Sequence, residues 1–160
     1  MWQDLINVLD KICDVYDKLA NLGERKRVAL VAVNIEGLSK ILDEEQLIAA
    51  KIQKLEQQRG EILQELSKNN SAVNSNTKAE DFYKTAPAPI ITQKLLDLHK
   101  KLSQNVERTL KIRDNNQILA QSALDVVKYN LNRLSGAFVE PTYGNKGAIV
   151  THQKKLDYKA

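Results

Sequence analysis

The sequence predicts an all-α protein, an elongated antiparallel helical bundle of three main helices with a flexible C-terminal tail. Three observations carry that prediction. Along three long segments the apolar residues recur at steps of three and four, the period of a helix with one buried face, and no segment alternates with period two. An asparagine suited to helix capping stands between the first two segments, and a polar, proline-containing stretch stands between the second and third. Past residue 136 the periodic pattern gives way to Pro141, Gly144 and Gly147, which disfavour helix.

The first stripe is Leu5, Leu9, Ile12, Tyr16, Leu19 and Leu22, continuing through Lys26, Leu30 and Val33, and it predicts a helix over about 2–33. Asp10, Lys11, Asp14, Asp17 and Lys18 lie mostly off it. Gly23 costs about 1 kcal/mol relative to alanine without ending a helix of this length. At "VNIEGL" (33–38) Asn34 is a good N-cap for a new helix, with Glu36 in its first turn. The next stripe, Leu38, Leu42, Glu45, Ile48, Ile52, Leu55, Arg59, Ile62 and Leu66, predicts a helix over 35–67. Unbroken, the two would make one helix of roughly 95 Å. A single later helix could cover its stripe only in part, so burial favours a hairpin of two. Glu45 and Arg59 mark the edge of the stripe, stems packed and heads in water.

Residues 68–90 read as a polar crossover, with a T-x-x-E capping box at Thr77 and Glu80 opening a short turn of helix around 78–84. Pro87 and Pro89 end that turn. The third stripe runs Ile91, Leu95, Leu98, Leu102, Val106, Thr109, Ile112, Asn116, Leu119, Ala123, Val127, Leu131 and Leu134, a helix over 91–134. At roughly 65 Å it outruns a hairpin of helices about 45 Å long. Its last stretch, "LDVVKYNLNRL", should carry apolar surface that the rest leaves uncovered, and Ser135-Gly136 stops it. Residues 1–136 thus form a helical domain and 137–160 a flexible tail. Tyr129, Phe138, Tyr143 and Tyr158 all fall in the last 32 residues, which suits a partner-binding tail.

Charge excludes several classes. There are 24 Lys+Arg against 20 Asp+Glu, a net of +4, with signs mixed along the helices. That is a solvated surface, and no nucleic-acid partner is expected. Cys13 is the only cysteine, so neither an intrachain disulfide nor a Cys-based zinc site is open to the chain. "VALVAV" (28–33) is too short to span a membrane, and Asp4, Asp10, Lys11 and Asp14 rule out a signal-peptide core. The expected compartment is the cytoplasm, without membrane insertion. His99 and His152 stand in different elements, and no H-E-x-x-H, Glu-x-x-His, Walker, GxGxxG or GxSxG motif occurs. "GNKG" (144–147) follows no strand and opens no helix. No catalytic residue, cofactor or metal is expected, and the chain does not read as an enzyme.

The order of the pieces resembles the FlgN family of flagellar export chaperones. They are the N-terminal stripe leading into "KRVALVAVNIEGLSKILDEEQ", then "KLEQQRGEIL" (54–63), "NTKAEDF" (76–82), "RDNNQILAQSALDVVKYNLNRL" (113–134) and "TYGNKG" (142–147). The resemblance implies a cytosolic, non-enzymatic chaperone. Its clients would be hook–filament junction (hook-associated) proteins, whose terminal amphipathic helices need cover until they are delivered to the flagellar type III export apparatus. It implies client recognition in the C-terminal region, expected here on Val127, Leu131, Leu134, Phe138, Val139, Ile149 and Val150. It also implies a tyrosine that contacts the export gate, by position Tyr143 in "TYG". Two other readings stay open on the residues alone: a generic coiled-coil adaptor self-associating through the N-terminal stripe, and a weakly basic nucleic-acid-associated helical protein.

Overall fold

The computed structural model describes residues 1–136 together with 138–139 and 151–152. Helix α1 spans Trp2–Val31 and buries far more than one stripe. Ile6, Val8, Cys13, Val15 and Ala20 join Leu5, Leu9, Ile12, Leu22 and Leu30 out of solvent. The reason is position: α1 packs against two long helices at once, so two of its faces are covered. Its chain then turns through Ala32–Asn34, with Val33 in the left-handed region at φ 50°. The Asn34 side chain accepts a hydrogen bond from the Gly37 amide at 3.0 Å. That cap opens helix α2, Ile35–Lys68, and makes the connection a hairpin.

Helix α2 returns antiparallel to α1. Arg25 pairs with Glu44 at 3.0 Å and Lys26 with Glu45 at 3.1 Å. Farther along, Val8 and Lys11 share a surface depression with Gln58 and Ile62. One position of the early α2 stripe shifts, Ile41 being buried where Leu42, 48% exposed, is expected, while Leu38 and Ile48 pack as expected. Ile41 turns toward Leu22 and Ala29, the apolar groups that α1 presents there. Glu45 and Arg59 are half-buried and neutralised, Glu45 by Lys26 and Arg59 by Glu56 at 2.7 Å.

The crossover leaves and returns at one end of the molecule. Asn70 and Asn74 fold it through Asx turns, their side-chain oxygens accepting from the Ala72 and Asn76 amides. The expected capping box does not form. The hydroxyl of Thr77 is engaged backward, accepting from the Asn74 amide at 3.0 Å, and the five-residue helix α3, Ala79–Tyr83, starts from Lys78 without a side-chain cap. Phe82 and Tyr83 of α3 are buried among Leu5, Leu9, Leu95 and Leu98, and Trp2 stacks at 5.4 Å from Phe82. This stretch therefore plugs the end of the core.

Helix α4, Pro89–Ser135, begins before the expected position 91 because Pro89 sits in its first turn, where the missing N–H has no partner to lose. Gly136, at φ 72°, ends it in the left-handed conformation that glycine adopts freely. Its partners on α1 rise in step with its own numbering. Asn105 Nδ2 donates to the Cys13 carbonyl at 3.0 Å, Arg108 pairs with Asp17 at 3.3 Å, and Asn116 Nδ2 donates to the Gly23 carbonyl at 2.8 Å. So α4 runs parallel to α1. The described residues hold four helices, three long ones and the short α3 within the expected turn at 78–84, and the antiparallel arrangement is seen directly only in the α1–α2 hairpin. No Cα of α2 comes within 8 Å of a Cα of α4. Phe138–Val139 and Thr151–His152 pair as a two-residue antiparallel ladder, Phe138 opposite His152. The rest of the segment expected to be a tail lies outside the described residues.

Candidate functional site

The core is lopsided. Leu5, Leu9, Ile12, Leu55, Leu66, Phe82, Tyr83, Leu95, Leu98 and Leu102 form one cluster at the plugged end. Toward the α1–α2 turn the second cluster is only Leu22, Ala29 and Ile41, with no α4 side chain in it. Past Leu102 the one buried α4 side chain among the described residues is polar, Asn116. The early half of α4 is thus anchored by leucines and its late half is held by polar contacts and partly covered side chains.

The late half then runs past the end of the hairpin. The Gly23–Asn116 bond sets Val31, the last residue of α1, level with Leu124. The residues from there to Ser135 extend about 17 Å with no hairpin beside them. Leu124, Val126 and Tyr129 are exposed on this overhang, Leu131 is 60% exposed and Leu134 is 87% exposed. Val28, Val31 and Ile35 are exposed at the adjoining hairpin end. Large apolar side chains gathered at one end of a molecule make that end the candidate interaction surface among the described residues. Asp125, Lys128 and Arg133 leave the overhang with no dominant sign of charge.

Of the residues expected to capture a client, Val127 is half-buried and Leu131 and Leu134 stand in solvent on this overhang. For Phe138 and Val139 the described part is the backbone pairing. Tyr143, Ile149 and Val150 lie outside the described residues. The periodicity missed Leu124 and Val126, which fall off the main stripe, and Val28, Val31 and Ile35, which belong to the hairpin end. The doubled "VV" at 126–127 was the available signal, since one of two adjacent helical residues must face away from the core.

The chemistry offered is that of apolar contact. Among the described residues no three His, Cys, Asp or Glu side chains gather as a metal site. Burial pushes the Cys13 thiol above its ordinary pKa, with Asp10 and Asp14 adding to the shift and Lys101 opposing it, so it is held as a neutral thiol beside the Leu98 carbonyl. No described helix is long and apolar enough to cross a membrane. A protein-family model described as FlgN protein matches residues 1–151. No curated protein and no solved structure gives a match.

Proposed function

The chain belongs to the FlgN family, a family of flagellar export chaperones, and from that premise we propose that it binds unassembled hook–filament junction proteins in the cytoplasm and delivers them to the type III export apparatus. The observation that supports this most directly is the α4 overhang, with Leu131 and Leu134 in solvent beside Leu124, Val126 and Tyr129. A junction protein not yet assembled presents terminal amphipathic helices whose apolar faces have no partner. A helix end with spare leucine and valine matches such a face.

Burying each of these side chains contributes about 1.5–3 kcal/mol gross. Ordering a flexible partner costs about 1–2 kcal/mol per residue. The sum favours reversible capture, which suits a client that must be handed on. In this reading residues 1–136 are the folded domain, and residues 137–160 extend the client site through Phe138, Val139, Ile149 and Val150. Tyr143 contacts the export gate: a tyrosine offers a broad apolar ring for the loss of two torsions, and a hydroxyl that fixes orientation.

Calorimetric titration of a purified junction protein tests the client site. Leu131→Asp with Leu134→Asp should weaken binding about tenfold or more. The fold should be unaffected, because both residues are exposed. Unchanged affinity would remove the overhang from the site. Tyr143→Ala is expected to leave that affinity intact and to lower export of the client from cells. Normal export by this variant would sink the gate assignment.

A further inference from the structure

We propose that the groove between α2 and α4 seats one amphipathic helix of the client, so that the client lies along the length of the molecule and is not held at the overhang alone. This rests on the chaperone reading above and assigns it a second stretch of surface. The groove exists because α2 and α4 stay more than 8 Å apart at every Cα while both lie against α1, which forms the floor. It has two consecutive stretches, of about 450 Å³ beside Tyr16 and about 520 Å³ beside Leu19 and Gly23. On α4 it extends from His99 to Ala120, about 32 Å.

Its α4 wall has the spacing of a helix-binding seam. His99, Ser103, Val106, Leu110, Arg113, Gln117 and Ala120 follow one another at alternating steps of four and three. The same row continues without a break into Leu124, Val127, Leu131 and Leu134, the apolar residues of the overhang. The row sets the spacing for one helix lying along it; in the groove its apolar positions are Val106, Leu110 and Ala120, and its polar ones are His99, Ser103, Arg113 and Gln117. That continuity commits the occupant. A helix that covers the overhang and remains straight is led into the groove. The stretch nearer the overhang is the apolar one, with Leu19 and Ile112 in it and the small Ala49 and Ala120 on its two walls. Small wall residues let a fourth helix approach to the usual 8–10 Å.

Asn116 points to the same occupant independently. It lines the groove and is 4% exposed. One arm of its amide holds α1 through the Gly23 carbonyl, and the other, Oδ1, has no partner. A buried acceptor left alone costs stability, and a donor brought to it by a bound partner removes that cost. Because Asn116 lines the groove, a client helix seated there can offer Oδ1 a donor from a serine, threonine, asparagine or glutamine.

The test uses the full chain and the purified junction protein. Ala49→Trp with Ala120→Trp fills the groove from two exposed positions, so the fold should hold, which circular dichroism checks. Client affinity should fall tenfold or more. Asn116→Leu removes the acceptor and should weaken binding severalfold; it also removes the bond to the Gly23 carbonyl, so binding is measured well below the variant's melting temperature. A photo-cross-linking residue at the exposed Gln117 should capture the client. If the doubly filled groove binds normally and Gln117 captures nothing, while Leu131→Asp with Leu134→Asp still impairs binding, the groove is not the seat and the chaperone reading stands. If filling the groove changes the oligomeric state by light scattering and not client affinity, its occupant is a second copy and the proposal is overturned. Failure of the unmodified chain to bind any junction protein overturns both.

Discussion

Gly23 and Ile112 meet in the later part of the α1–α4 contact. A Cβ built on Gly23 would lie 2.6 Å from Ile112 Cγ2, and isoleucine is stiff at its first torsion. The glycine that the sequence offers only as a tolerated weakness is therefore a steric requirement. Gly23→Ala should gain about 1 kcal/mol of helix propensity and lose more to overpacking, for a net loss of about 1–2 kcal/mol in urea unfolding. Combining it with Ile112→Ala should cost less than the two changes summed, because the second removes the clash that the first creates. The Cys13 thiol supplies a different check. With its folded pKa raised by burial, the stability it lends is full below the unfolded thiol's value of about 8.5. It is lost as pH rises through the raised folded value. Native protein should therefore react slowly with a thiol reagent near pH 8 and promptly in denaturant; rapid native labelling would mean that the α1–α4 contact opens readily.

At the level of elements, the long helices were legible because burial on one face leaves a period near 3.6. Asn34 was legible as a cap because its side chain reaches the Gly37 amide. Asn34→Ala should cost about 1 kcal/mol, measured by thermal or urea melting. The crossover was not legible. Thr77 and Glu80 have the spacing of a capping box, but the Thr77 hydroxyl binds back into the Asn74 turn, and no local pattern shows that Phe82 and Tyr83 turn inward. The breadth of the buried surface on α1 was hidden for a related reason. A stripe shows which residues face one neighbour, and α1 has two. Pro89 misled on the start of α4 because proline breaks a helix interior and is welcome in a first turn. The exposed apolar side chains of the overhang were legible where the third stripe outlives the hairpin, at Leu131 and Leu134, and illegible where side chains leave the stripe, at Leu124 and Val126. Truncation after Gly136 should leave the melting temperature within a few degrees, since the buried clusters lie in residues 1–102. A much lower value would place later residues in the core.

Among the described residues, one end of the molecule is plugged and the other carries exposed apolar side chains. Trp2, Phe82, Tyr83 and Leu95 close the first; the α1–α2 turn and the α4 overhang form the second. Client capture by apolar contact should barely respond to salt between 50 and 200 mM, whereas binding to a phosphate backbone falls by orders of magnitude over that range. A steep salt dependence would favour a nucleic-acid partner instead.

The plug also divides the molecule in time. Amide protons of Leu5, Leu9 and Leu95 can exchange with solvent only when the packed end comes apart, which makes their exchange a reading of global unfolding. Those from Val127 to Ser135 lie beyond the end of the α1–α2 hairpin, need only the fraying of the helix end, and should exchange far sooner. A client could therefore be taken up and released by motions of the frayed end while the plugged end keeps its structure throughout.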